Sequence, residues 1–124
     1  MIDLTFQQML KMQHELWERN KDKWSPIEPS YARDHFLWMI GELGEALEII
    51  KKCGEERIMT DADLKAAFTE EMCDVLMYFN EILLRYDISA EDMARAYTKK
   101  HQKNMKRDYS AEEDNFAAEK AGNI

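Results

Sequence analysis

The chain is poor in chain breakers and in cysteine: its 124 residues include four glycines, two prolines and two cysteines. So few breakers, with apolar residues at 45% and charged residues at 34%, suit a soluble, mostly helical protein, and strands are not expected. Cys53 and Cys73 form no metal-ligand spacing, and a lone pair of thiols without an export signal fits a reducing compartment. Basic residues are also in deficit. Seventeen Lys and Arg stand against 25 Asp and Glu, giving a net charge of −8, which argues against a duplex nucleic-acid partner, because such binding rests on neutralising phosphates. No run approaches the roughly 18 apolar residues of a membrane span. The opening MIDLTFQQMLKMQHELWERN is amphipathic throughout and carries no signal-peptide core. A cytoplasmic protein with no membrane partner is expected.

What is present is helical periodicity. Phe6, Leu10, Gln13 and Trp17 recur at helical spacing and predict a first helix over about Thr5–Lys23. The two prolines of WSPIEPS end it. Ser30 is a candidate N-cap for a second helix running to Cys53, where Gly54 is a stop. After a charged loop, GEERIM, the stretch Thr60 to Asp63 resembles a capping box and predicts a third helix reaching about Tyr86. Ser89-Ala90-Glu91-Asp92 starts a fourth through KKHQKNMKR. The expectation is an all-α, four-helix bundle-like domain over residues 1–107, with antiparallel neighbours, followed by a loosely held polar tail over 108–124 with a helical turn or two in AEEDNFAAEK.

On a helical wheel of the second helix, Phe36, Ile40, Leu43, Leu47 and Ile50 share one arc and predict its core stripe. Glu42 and Glu45 lie off the polar arc, on a third one with Trp38 and Ile49. On the third helix Leu64, Phe68, Val75 and Ile82 form the stripe; Glu71 falls inside it, with Asp74 and Tyr78 alongside. An ionised carboxylate in an apolar seam is unfavourable unless it is paired, coordinates a metal, or is neutralised by a raised pKa. Two pairs at i and i+3 on adjacent antiparallel helices would converge four oxygen ligands, a hard donor set that suits Mg²⁺ or Mn²⁺. One such pair alone is ordinary. The combination points to a site.

The motifs Glu42-Leu43-Gly44-Glu45 and Glu71-Met72-Cys73-Asp74 resemble the ExxE and ExxD elements of the all-α NTP pyrophosphatase superfamily, which includes MazG-like proteins, dimeric dUTPases and dCTP pyrophosphatases. Lys100, Asn104 and Arg107 match the K-x3-N-x2-R pattern that follows in many members, and the resemblance covers roughly residues 4–107. One departure is Gly41, where many members have a further acid; Glu70 is a substitute. The resemblance implies a Mg²⁺-dependent nucleoside triphosphate pyrophosphohydrolase with a role in clearing surplus or non-standard nucleotides. It further implies that Glu42, Glu45, Glu71 and Asp74 bind the metal, that Lys100, Asn104 and Arg107 contact phosphates, and that the bundle is completed in a homodimer or homotetramer.

Trp24 and Trp38 are candidates for stacking on the base. His14, His35 and His101 are read as surface or packing residues. The competing reading is a non-catalytic helical oligomer whose acids form a structural charge network. A ferritin-like di-metal centre is disfavoured, since neither Glu45 nor Glu71 is followed by His three positions on.

Overall fold

The computed structural model describes residues 2–122, and every regular element within them is helical. The chain divides into two units, residues 1–90 and 91–124. In the first, α1 (Phe6–Asn20), a 3₁₀ turn (Pro29–Tyr31), α2 (Ala32–Cys53), α3 (Glu55–Thr60) and α4 (Ala62–Arg85) follow one another; α5 (Ala90–Lys106) and α6 (Tyr109–Gly122) build the second.

Local chemistry sets most of the helix ends. The Thr5 hydroxyl accepts from the Gln8 backbone N–H at 3.1 Å while the Gln8 side chain accepts from the Thr5 N–H at 2.7 Å, so a reciprocal capping box starts α1. Gly54, at φ 81°, ends α2 in a conformation that a side chain would strain, and its N–H bonds the Ile50 carbonyl at 2.8 Å. The Asp61 carboxylate accepts from the N–H groups of Asp63 and Leu64, satisfying donors that α4 leaves open at its start. At the other end of α4, Asp87 takes φ 53°. There the Ile88 N–H bonds the Leu83 carbonyl at 2.9 Å and the Asp87 N–H bonds that of Leu84 at 3.2 Å, which is a Schellman closure with Asp in the place glycine usually fills.

Several boundaries differ from the sequence expectation. Ser30 is not the cap of α2: Pro29 presets a helical φ one residue earlier, so the chain enters through a 3₁₀ turn and no side chain caps the helix. GEERIM is largely the short helix α3 rather than a loop. Asp61, not Thr60, caps α4, and the Thr60 hydroxyl instead donates to the Glu56 carbonyl at 3.0 Å. The polar segment expected to hold a turn or two is helical from Tyr109 to Gly122, and Asn123 and Ile124 lie outside the described residues.

The main packing of the first unit is α2 on α4, with α1 and α3 also against α4. His35 meets Tyr78 while Glu42 meets Glu71, so residue numbers rise on one helix as they fall on the other and the pair is antiparallel. The buried apolar residues are Leu10, Ala32, Ala46, Ile58, Ile82 and Leu83.

The predicted core stripe of α2 is a correction. Phe36, Ile40, Leu43 and Leu47 are 44%, 61%, 44% and 54% exposed, and the residues α2 buries are Ala32, His35 and Ala46. A wheel finds the apolar arc but not the neighbour it meets; here the small residues let α2 approach α4 along the arc that carries Glu42.

Candidate functional site

Glu42 comes from α2, and Glu71 and Asp74 stand one turn apart on α4. All three are half-buried. One oxygen from each lies within 4.8 Å of the other two. Glu71 is hydrogen-bonded to Glu42, which pushes its carboxyl above the ordinary glutamate range; burial and the charges of Glu42 and Asp74 push the same way. Carboxylates this close repel one another when ionised, and a bound cation would relieve that repulsion. Glu45, one turn beyond Glu42, is exposed and is not part of this group.

Beside the carboxylates opens a cavity of about 700 Å³, within the range of small-molecule sites. Glu42 and Asp74 line it together with Trp24, Trp38, His35 and Tyr78. The rings form a cluster: His35 and Trp38 pack edge-on with centroids 4.9 Å apart, and Tyr78 lies 6.1 Å from Trp38 and 6.3 Å from His35. Burial, then the charges of Glu42, Asp74 and Glu81, raise the Tyr78 phenol above its ordinary value, so it stays a hydrogen-bond donor. Burial lowers the His35 imidazole below its ordinary value, against the opposing effect of its hydrogen bond to Tyr31. Its ring is neutral at physiological pH.

The deep side of the cavity rests on a buried ion pair. Glu81 and Arg85, one turn apart on α4, are 4% and 2% exposed and are joined by a short contact. Gln13 of α1 donates to Glu81 Oε1 at 2.7 Å. The second guanidinium Nη of Arg85 donates to the carbonyl and hydroxyl oxygens of Ser25 at 3.0 and 3.1 Å, and the Trp17 indole N–H reaches the same carbonyl at 2.8 Å. These bonds tie α1, the proline-containing segment and α4 together on one side of the cavity. They also hold Trp24, the neighbour of Ser25, at its wall.

Of the residues expected from sequence, then, Glu42, Glu71 and Asp74 are brought together, and Trp24 and Trp38 line the adjoining cavity. Lys100 and Asn104 lie on α5, exposed and half-buried respectively. Arg107 follows the end of that helix, its N–H bonded to the Asn104 carbonyl at 3.3 Å; all three belong to the second unit. Glu81 and Arg85 were not singled out by sequence, and Gln13 and Tyr78 were named there only for their places on helix faces. The signal was present on α4, where Glu71, Asp74, Tyr78, Glu81 and Arg85 succeed one another at steps of three and four and so share a face. His35 fits the packing reading, although it also lines the cavity.

The chain matches no protein-family model, no curated protein and no solved structure. The chemistry of the site must therefore be argued from its residues.

The donor set fits a hard divalent cation. It offers oxygen alone, with neither His nor Cys in the group, and a cation would offset the repulsion that raises the Glu71 carboxyl beside Glu42. Two of the acids face the cavity, where water and an anionic ligand could complete the coordination shell. Three carboxylates by themselves would repel such an anion, so binding one there requires the cation.

Proposed function

We propose that this chain is a Mg²⁺-dependent nucleoside triphosphate pyrophosphohydrolase, releasing a nucleoside monophosphate and pyrophosphate, with Mn²⁺ able to replace Mg²⁺. The observation that carries the reading is the junction of two unlike features: an oxygen-only acidic cluster and an aromatic cavity that share Glu42 and Asp74 as wall residues. A nucleotide has the matching halves, a flat base and a polyphosphate that needs a cation. The resemblance of the two acidic motifs to the all-α NTP pyrophosphatases supports the same reading.

Glu42, Glu71 and Asp74 would hold the cation, with Glu45 close in sequence as a further acid of the motif. Bound there, the cation would neutralise phosphate charge and lower the pKa of a coordinated water. Trp24 and Trp38 would clasp the base, because flat aromatic faces are the usual platform for one. For Lys100, Asn104 and Arg107, which belong to the second unit, a phosphate-contact role is what the resemblance implies: Arg through its forked geometry, Lys as a point charge and Asn by hydrogen bonding.

The exposed stripe Phe36, Ile40, Leu43 and Leu47 is apolar over several turns of α2, more than a lone surface helix ordinarily leaves to water. A second copy of the chain is its proposed cover, giving a homodimer or a homotetramer. Nucleotide-pool clearance in the cytoplasm is the role that such an activity would serve.

The test is product analysis over a panel of ribo- and deoxyribonucleoside triphosphates with Mg²⁺. Pyrophosphate together with monophosphate supports the proposal. Orthophosphate as the sole product, or no turnover of any nucleotide, overturns it.

A further inference from the structure

Three buried polar side chains line the cavity without belonging to the acidic cluster or to the tryptophan walls. They are Gln13, His35 and Glu81, 5%, 5% and 4% exposed. The direction in which each can hydrogen-bond is set by its other partners.

Glu81 receives Gln13 Nε2 on Oε1 and the Arg85 guanidinium on Oε2. A carboxylate has about four lone-pair directions, so both oxygens keep accepting capacity after those bonds. Arg85 cannot swing to use it, because its other Nη is held by both oxygens of Ser25. Gln13 gives one amide N–H to Glu81, which leaves its Oε1 as an acceptor and its second N–H as a donor. His35 Nδ1 lies 2.9 Å from the Tyr31 carbonyl. A carbonyl only accepts, so Nδ1 carries the proton and Nε2 of the neutral ring is an acceptor too.

The buried side of the cavity thus offers lone pairs from three residues. A ligand edge with N–H groups satisfies them; a carbonyl in the same place sets lone pair against lone pair. Uracil and hypoxanthine differ from their amino counterparts by carrying an oxygen where the amino group would stand, with one proton moved to the adjoining ring nitrogen in place of the two N–H groups of the amine.

We infer that Glu81, assisted by Gln13 and His35, reads the amino edge of a base, so that the cavity selects amino-bearing nucleotides of the cytosine and adenine type over their oxo counterparts. This rests on the reading of the cavity as a nucleotide site. The arrangement supplies a specificity residue at a position the acidic motifs do not include.

The experiment is equilibrium binding to the full-length, metal-free protein, followed by the fluorescence of the wall tryptophans. The probes are deoxycytidine against deoxyuridine and deoxyadenosine against deoxyinosine, uncharged pairs that exchange an amino group for an oxygen and carry no phosphate for the acids to repel. The amino member should bind tighter by about tenfold or more, the usual scale for leaving a buried charged acceptor unmatched. In Glu81→Gln, with its fold checked by circular dichroism, the ratio should fall towards one. Gln13→Leu, which leaves the Glu81–Arg85 pair intact, should lower it in part.

Equal or tighter binding of the oxo member by the parent protein overturns the inference, as does a ratio that survives in folded Glu81→Gln. A clear amino preference without hydrolysis of any triphosphate would keep the inference and sink the pyrophosphohydrolase reading. Hydrolysis with no amino preference would do the reverse, and binding of none of the four probes would overturn the inference outright.

Discussion

Replacing Arg85 with methionine is the sharpest test of how the first unit is held together. The Glu81 and Arg85 side chains are 5% and 0% exposed, so removing the guanidinium leaves a buried carboxylate with Gln13 as its one remaining donor among the bonds described. Breaking a buried pair from one side destabilises by about 3–5 kcal/mol. A domain of this length is stable by about 6–19 kcal/mol at 0.05–0.15 kcal/mol per residue, so the loss is a large share of the whole. With an unfolding entropy near 2.1 cal/mol/K per residue, it corresponds to a drop in Tm of about 10–20 °C.

The Ser25 bonds are lost as well, which places Arg85→Met towards the upper end. Chemical denaturation and thermal melts of the metal-free protein would measure it. The double variant Glu81→Leu, Arg85→Met should recover most of the loss, since an apolar pair of similar volume replaces a buried ion pair at little cost. A loss below about 1 kcal/mol, the value of a solvent-exposed pair, would refute the reasoning. So would a double variant no more stable than Arg85→Met.

Glu71→Gln should raise the Tm of the metal-free protein at neutral pH. Its carboxyl is held above the ordinary value by Glu42, so the native protein loses stability as pH rises from the unfolded value through the folded one; the gain from the substitution should vanish below that window, and melts across pH check both. A purely structural charge network predicts a fall in Tm instead. His35, whose imidazole is lowered chiefly by burial, has the opposite consequence: stability is complete above the ordinary imidazole value and is lost as pH falls below it, and an NMR titration should place its midpoint under that value. Ile40→Glu, on the exposed stripe of α2, should shift an assembly of copies towards monomer in sedimentation velocity, with far-UV circular dichroism unchanged.

Much of this architecture is legible in the sequence because helix ends are local. Gly54 ends α2 through its own backbone as its sequence position suggests, and α4 starts at Asp61, one residue after the Thr60 expected to cap it; Glu71 is half-buried, as are Leu64, Phe68 and Val75 of its stripe. The capping box at Thr5 and the Schellman closure at Asp87 follow the same local rules. What escaped reading depends on neighbours. The apolar arc of α2 is real, but the arc that meets α4 is the one with Ala32, His35, Glu42 and Ala46, where small residues permit close approach. Glu81 and Arg85 stand at i and i+4, a spacing common among surface pairs, and only the arrival of Gln13 and Ser25 from distant sequence makes them a buried pair. The six-residue α3 is too short for periodicity to reveal.

The central claim is that Glu42, Glu71 and Asp74 form the cation site of a nucleotide-hydrolysing centre. It is tested most directly by comparing pyrophosphate release from nucleoside triphosphates by the parent protein and Asp74→Asn, each with Mg²⁺ and with EDTA. The account predicts release that requires Mg²⁺ and falls by at least about a hundredfold in the variant, as expected when transition-state charge stabilisation is removed. Release that persists in EDTA, or that Asp74→Asn leaves unchanged, would contradict it.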